Sequence, residues 1–130
     1  MADMTITLPV GLRTVRTSSL GEQEILHREA VLRELTTGDL VNAATEAEKV
    51  VLGDDGEYHL VQSPTLAGLH MLRRQIVRIG DIEGPFEVGE LLKLATPDFQ
   101  ALQAAADRLD AAAVQTLGET AGRGRDDPAS

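Results

Sequence analysis

Histidine and acidic side chains are the residues of this 130-residue sequence that could do chemistry. The three histidines are His27, His59 and His70, and none stands four residues from another histidine or in a recognised metal-binding motif. The stretch LGDDGEYH, residues 52–59, is acidic but lacks the alternating acidic pattern and the closing glutamate of a calcium loop. We therefore expect surface or partly buried histidines, a charged turn, and no metal site.

Motifs for nucleophiles and for phosphate binding are also missing from the sequence. There is no cysteine, which excludes disulfides, thiolate metal sites and a cysteine nucleophile. The glycines form neither a dinucleotide-binding pattern nor a phosphate loop. Ser18 and Ser19 have no histidine–aspartate pair nearby, and Glu46 and Glu48 are typical of solvated helix positions. The sequence thus predicts a protein that is not an enzyme and has no cofactor.

Composition restricts the class of protein further. The chain is 42% hydrophobic but only 2% aromatic, which predicts one folded domain whose core is built from small and aliphatic side chains. Its formal net charge of −9 argues against binding to nucleic acid or to an anionic membrane. The strongest basic cluster, Arg73, Arg74 and Arg78, is expected to be a solvated helix face. Without a signal peptide pattern or a membrane-length apolar run, we expect a cytoplasmic protein.

Strands are predicted in the first part of the chain. Residues 4–10 alternate between apolar and β-branched polar side chains, residues 16–22 are typical of a loop, and residues 24–35 predict a second strand. Together they predict a β-ribbon over about residues 4–35. Because a lone ribbon is marginally stable in water, it must pack on helices or join the sheet of a partner.

Two helices with recognisable starts are predicted next. Thr36 and Asp39 have the spacing of a capping box, and Ser63 followed by Pro64 predicts a second helix start. A turn and a short strand over residues 52–61, which could form a short hairpin, separate the two helices, and Gly80 ends the second. The apolar stripes are Leu40, Ala43, Ala44, Ala47 and Val51 in the first helix, and Leu66, Leu69, Leu72, Ile76 and Ile79 in the second.

A short helix over residues 88–94 and a long final helix complete the prediction. Thr96-Pro97-Asp98 is typical of a helix start, and an apolar stripe follows it until the helix fades after Thr116. We expect the first stripe residues, Phe99 and Leu102, to lie in the core. From Leu109 to Leu117 the sequence leaves core packing and partner binding equally open.

The fold prediction is therefore α+β in a single domain over residues 1–117. A β-ribbon, about residues 4–35, precedes a mainly helical part of three to four helices, about residues 36–117. Residues 118–130 are rich in glycine and charge, which predicts a disordered polar tail.

Two segments resemble the tail assembly proteins of Mu-like phages. The first is LRELTTGDLVNAATEAEKV, residues 32–50, and the second is LLKLATPDFQALQAAADRL, residues 91–109. With the ribbon before them and residues 72–84 between them, the resemblance covers about residues 4–115. Leu35 stands where the family often has proline, and the segment at residues 50–63 is longer than the usual connection.

The resemblance implies a tail assembly chaperone of the host cytoplasm that binds helices of the tape-measure protein. Tail tube subunits and further copies of the chain are additional partners to consider, and some family members are extended by a frameshift. The alternative is a structural component of a phage tail or tail-like injection particle. The net charge disfavours a DNA-binding regulator. If the chaperone hypothesis holds, the expected partner-binding residues are Phe99, Leu102, Ala106, Leu109, Ala113 and Leu117.

Overall fold

The computed structural model describes residues 3–124, and the side chains of residues 3–112. Within that range the elements, in chain order, are β1 (Asp3–Ser18), β2 (Gly21–Arg33), α1 (Thr37–Glu46), β3 (Glu48–Leu52), β4 (Tyr58–Gln62), α2 (Pro64–Gln75), β5 (Ile76–Ile79), β6 (Ile82–Glu83), α3 (Val88–Leu92) and α4 (Thr96–Gly124). One antiparallel sheet has the strand order β1-β2-β5-β6, and β3 pairs with β4 in a separate hairpin. The fold is α+β, as the sequence predicts.

Strand β1 of the ribbon is longer than the predicted strand over residues 4–10. Its pairing extends from Asp3 opposite Arg33 to Ser18 opposite Gly21. The prediction of a loop over residues 16–22 was wrong, because residues 16–18 belong to β1 and residues 21–22 belong to β2. The turn between the two strands has only two residues, which is enough to join antiparallel strands. Gly21 has a φ of 106°, a backbone conformation that glycine adopts without a Cβ clash.

An irregularity in β1 fixes the position of helix α4. The pairing register of β1 shifts between Thr7 and Leu12. There the backbone N–H groups of Val10 and Gly11 donate to Oδ1 and Oδ2 of Asp98, each at 2.8 Å. Asp98 lies fully buried in the first turn of α4. The aspartate predicted to stabilise the helix start therefore also holds α4 against the sheet.

Helix α2 ends earlier than its apolar stripe predicts. It stops at Gln75, and residues 76–79 form β5, which pairs with residues 30–32 of β2. The helical prediction for Ile76 and Ile79 was wrong, because β-branched side chains suit a pleated strand and β2 offers backbone partners. Both isoleucines are buried. The sheet therefore continues into the part of the chain predicted to be mainly helical.

Helix α1 begins as predicted and ends earlier. Thr36 Oγ1 accepts a hydrogen bond from the backbone N–H of Asp39, and Asp39 Oδ2 accepts one from the N–H of Thr36, which completes the capping box. The helix ends at Glu46, and the predicted extension to Val51 was wrong because the following β-branched residues pair with β4. Within the predicted stripe, Ala43 and Ala47 are buried, and Leu40 and Val51 are exposed.

The core lies where the four-stranded sheet meets α2 and α4. Leu8 and Leu32 enter it from the sheet, Leu72 from α2 and Leu102 from α4. Ala30, Ile76, Ile79, Phe86, Leu91, Ala105, Ala106 and Leu109 complete it. With one aromatic ring among these side chains, the core is aliphatic, as the composition predicts.

The final helix continues beyond its predicted end near Thr116. The backbone of α4 is helical to Gly124, so the part of the predicted tail that the structure describes is helix. Residues 125–130 of that predicted tail lie outside the described residues.

Candidate functional site

The predicted contact stripe of α4 packs against the protein itself. Leu102, Ala106 and Leu109 are all less than 5% exposed, because the four-stranded sheet and α2 cover this helix face. These three residues are therefore not an accessible surface in the folded chain, and their role as partner contacts stays a prediction. The side chains of Ala113 and Leu117 lie outside the described residues, so their role stays a prediction.

Phe99 remains partly accessible. It packs against the edge of the core and lines a shallow apolar pocket of about 200 Å³ together with Leu91, Leu92, Leu94 and Thr96.

A second cavity, of about 300 Å³, lies beside Arg33 and Asp39, which form an ion pair at 2.7 Å. The hydrogen bond from Arg33 lowers the pKa of Asp39 well below its usual range. The third charged residue lining that cavity, Arg74, pairs with Glu46, so all three charges already have a partner.

The three histidines lie on separate elements, and His70 on α2 contacts Glu46, with Nδ1 and Oε2 2.9 Å apart. Among the described residues, no group of three or more His, Cys, Asp or Glu side chains could hold a metal ion. His27 is buried next to Thr14, with Nε2 and Oγ1 2.8 Å apart, whereas His59 lies on the exposed hairpin. In the same part of the chain, no helix is both long enough and apolar enough to cross a membrane.

The hairpin formed by β3 and β4 is the surface that stands out. All of its strand residues are exposed. Directly opposed residues in an antiparallel pair share a face, as do residues two apart in a strand. The register places Val50 opposite Leu60 and Leu52 opposite Tyr58, so these four side chains lie together on one face. We call this set, Val50, Leu52, Tyr58 and Leu60, the apolar hairpin face.

Exposure of the apolar hairpin face is unusually high for side chains of this size. Each of the four residues is 64–75% exposed. The opposite face carries Lys49 and His59 among its residues, together with Val51 and Val61. Scattered exposed apolar residues are ordinary, but a contiguous apolar patch on a soluble domain indicates an interaction site.

The base of the hairpin is held by the pair α1 and α2. The backbone N–H of Ser63 donates to the carbonyl of Ala47 at 3.2 Å, which closes the base, and Ala47 is fully buried. Ser63 also caps α2, because its Oγ accepts from the backbone N–H of Leu66. The hairpin therefore projects from a fixed base, between the end of one helix and the start of the next.

An ionic clamp ties the two helices together below the hairpin. Glu46, the last residue of α1, accepts from Arg73 at 2.6 Å and from Arg74 at 2.5 Å, both on α2. Hydrogen bonds from Arg74 and Arg73 lower the pKa of Glu46 to about 2. A carboxylate at a helix C-terminus opposes the helix dipole, so these two cations compensate for its position.

This clamp corrects the prediction of a solvated arginine face. The side chains of Arg73 and Arg74 are only 13% and 12% exposed, and Arg78 lies on β5, where it pairs with Glu29 at 2.7 Å. The sequence placed all three arginines on one helix, but the early end of α2 separates them.

The tip of the hairpin is acidic. Asp55 accepts from the backbone N–H of Glu57 at 3.0 Å, and its Oδ2 lies 3.0 Å from Nε2 of His59. The bond from Glu57, followed by that from His59, lowers the pKa of Asp55. Gly56 has a φ of 79°, which suits glycine in a tight turn. The predicted charged turn is confirmed.

Sequence reasoning missed the apolar hairpin face because it assigned β3 to the end of a helix. Alternation could not correct this, since both faces of the hairpin carry apolar residues. The available signal was the β-branched pair Val50-Val51 directly before the turn Gly53-Asp54-Asp55-Gly56.

Comparison with known proteins identifies the family. The sequence profile of tail assembly protein gp41 matches residues 11–125, a range that includes both the hairpin and α4. This chain belongs to the gp41 tail assembly protein family. The resemblance seen in residues 32–50 and 91–109 is thereby confirmed.

Three relatives share about two fifths of their aligned residues with this chain. Probable tail assembly protein gp41 of Escherichia phage Mu is 41% identical over 103 residues, covering 79% of this chain and 71% of that protein. Mu-like prophage FluMu protein gp41 of Haemophilus influenzae is 40% identical over 101 residues, covering 78% of this chain and 77% of that protein. Probable tail assembly protein FS-gp41 of phage Mu is 40% identical over 102 residues, covering 78% of this chain.

The chain spans about half the length of FS-gp41, since the match covers 54% of that relative. No solved structure matches the chain. Membership of the gp41 family supports a role in the assembly of Mu-like phage tails, and the family is one of assembly proteins.

Proposed function

We propose that the protein is a tail assembly chaperone that binds the tape-measure protein in the host cytoplasm before the tail tube forms around it. Its family membership supports a role in tail assembly. The observation that carries the finer proposal is the apolar hairpin face, which is exposed on a projecting hairpin with a fixed base.

The physical argument rests on what a chaperone of this kind must do. A long apolar helix waiting in water exposes hydrophobic surface that drives aggregation. Binding to an apolar face covers that surface without any chemical step. The formal net charge of −9 then keeps the complex soluble, because like-charged complexes repel one another.

Co-expression with the tape-measure protein of the same phage tests this proposal. Affinity purification of the tape measure, followed by size-exclusion chromatography with light scattering, should yield a soluble complex with many copies of this chain per tape measure. An insoluble tape measure beside a freely eluting chain would contradict the proposal.

Mass spectrometry of purified phage particles separates a chaperone from a structural tail component. A chaperone should be missing from mature tails, whereas a structural component should be present at a fixed number of copies per particle. Retention of the chain in the particle would favour the structural alternative. Tail tube subunits are a further proposed partner, and the same co-expression design applies to them.

A further inference from the structure

We propose that the apolar hairpin face docks an amphipathic helix whose apolar stripe is flanked by lysine or arginine. This inference rests on the proposed function, since it names the chemistry of the tape-measure segment that this face takes. The proposed occupant is a helix with basic flanks, and peptide-binding experiments distinguish it from other occupants.

The dimensions of the apolar hairpin face suit one helix. Each strand has five residues, which makes the hairpin about 17 Å long, the length of about three helical turns. Its two rows of side chains, Val50 with Leu52 and Leu60 with Tyr58, lie on neighbouring strands about 4.8 Å apart. A helix stripe with apolar residues spaced by three and four fits along such a double row.

The low stability expected of an isolated hairpin supports the binding of a partner to it. An isolated two-stranded hairpin is marginally stable in water. Here the base is held through Ser63 and Ala47, whereas the strand residues beyond it are all exposed. A helix on the apolar hairpin face would add the second layer that a sheet requires.

Negatively charged side chains at both ends of the apolar hairpin face favour a helix with positively charged flanks. Glu48 lies on the same face at the base, two residues before Val50, and Asp54, Asp55 and Glu57 lie at the tip. The single lysine of the hairpin, Lys49, points to the opposite face. The hydrogen bond from Glu57, followed by that from His59, lowers the pKa of Asp55. Basic flanks on a docked helix would meet these carboxylates.

The same charges argue against a second copy of the chain as the occupant. Two hairpins packed face to face would bring an acidic tip against either the other acidic tip or the base that carries Glu48. Either arrangement places carboxylates next to carboxylates, which disfavours pairing.

Fluorescence anisotropy with two synthetic helical peptides tests the inference directly. Both peptides carry the same leucine stripe, one flanked by lysines and the other by glutamates. The full-length protein should bind the lysine peptide at least about tenfold more tightly, and its affinity should fall as salt screens the flanking charges. Equal binding of both peptides, or binding of neither, would overturn the inference.

Two variants of the hairpin locate the binding. Val50→Ser with Leu60→Ser should weaken binding of the lysine peptide at least about tenfold, because it removes half of the apolar hairpin face. The matched control is Val15→Ser with Leu26→Ser, which removes exposed apolar side chains from the ribbon β1–β2. Circular dichroism checks the fold of both. If the control loses binding and the hairpin variant keeps it, the site is wrong.

A charge reversal at the tip keeps the test decisive even if the serine variant disturbs the hairpin. Asp54→Lys with Glu57→Lys changes exposed turn residues and should shift preference toward the glutamate peptide. An unchanged preference for lysine flanks would overturn the charge rule.

Tape-measure pull-downs with the same variants separate this inference from the proposed function. If the tape measure binds wild type and the hairpin variant equally, the chaperone proposal stands and the docking site is wrong. If it binds neither while the lysine peptide behaves as expected, the docking site stands and the tape-measure proposal is wrong.

Discussion

Helix α4 and the hairpin β3–β4 both carry apolar side chains at regular spacing, yet the two regions use them in opposite ways. Leu102 and Leu109 of α4 are almost completely buried, whereas Val50 and Leu60 of the hairpin are about two-thirds exposed. The region that resembles a partner surface in the sequence is core, and the region that resembles a connection exposes the apolar patch.

Apolar periodicity in a sequence indicates that a face will be buried, without indicating what will cover it. A 3.6-residue apolar repeat shows that one helix face will be buried, but it does not say whether the cover comes from the same chain. Here the sheet supplies that cover, because Asp98 binds the β1 irregularity and brings α4 onto it. The hairpin touches the rest of the protein mainly through its base, so its faces stay open.

Placing the same charge in α4 and in the hairpin tests most directly which of the two regions is buried. Leu109→Glu should destabilise the protein by more than about 4 kcal/mol, because an unpaired carboxylate enters the core. Leu60→Glu should change the free energy of unfolding by less than about 1 kcal/mol, because its site is exposed. Urea unfolding followed by circular dichroism measures both. Similar losses in the two variants would refute the assignment of core and surface.

A smaller effect is expected from cutting the link between α4 and the ribbon. Asp98→Ala leaves the partly buried N–H groups of Val10 and Gly11 without their acceptor, which should cost about 2–4 kcal/mol. Asp107→Ala, at an exposed position on the same helix, is the matched control and should cost less than about 0.5 kcal/mol. Thermal unfolding compares the two. If Asp98→Ala unfolds like its control, the anchor is not what places α4.

The smallest effect concerns the clamp below the hairpin and depends on pH. The folded-state pKa of Glu46, about 2, lies below its ordinary value of 4.5, so the clamp stabilises the fold above about pH 5 and loses this contribution as pH falls toward 2. Glu46→Gln should therefore cost on the order of 1 kcal/mol at pH 7, a figure reduced for solvent screening because the side chain is 40% exposed.

Urea titrations of wild type and Glu46→Gln at pH 7, 4 and 3 measure this contribution, with Glu22→Gln as an exposed control. The difference between wild type and Glu46→Gln should shrink as the pH falls. A difference that stays constant over this range would show that the charge of Glu46 does not act through its arginine partners.

Much of the local structure was predictable from the sequence. The capping box at Thr36 and Asp39, the start of α2 at Ser63 and Pro64, and the β-ribbon all follow from interactions within a few residues. The candidate site was not predictable in this way. Its four residues become one face only when the register of β3 against β4 is known.

Local interactions along the chain specify the α+β class, the helix starts and the aliphatic character of the core, because caps, turns and side-chain branching act within a few residues. Long-range contacts, in contrast, make Ile76–Ile79 a strand, cover the apolar stripe of α4 and leave the apolar hairpin face open. These outcomes depend on backbone partners and packing surfaces supplied by distant parts of the chain. No short window of sequence contains both sides of such a contact.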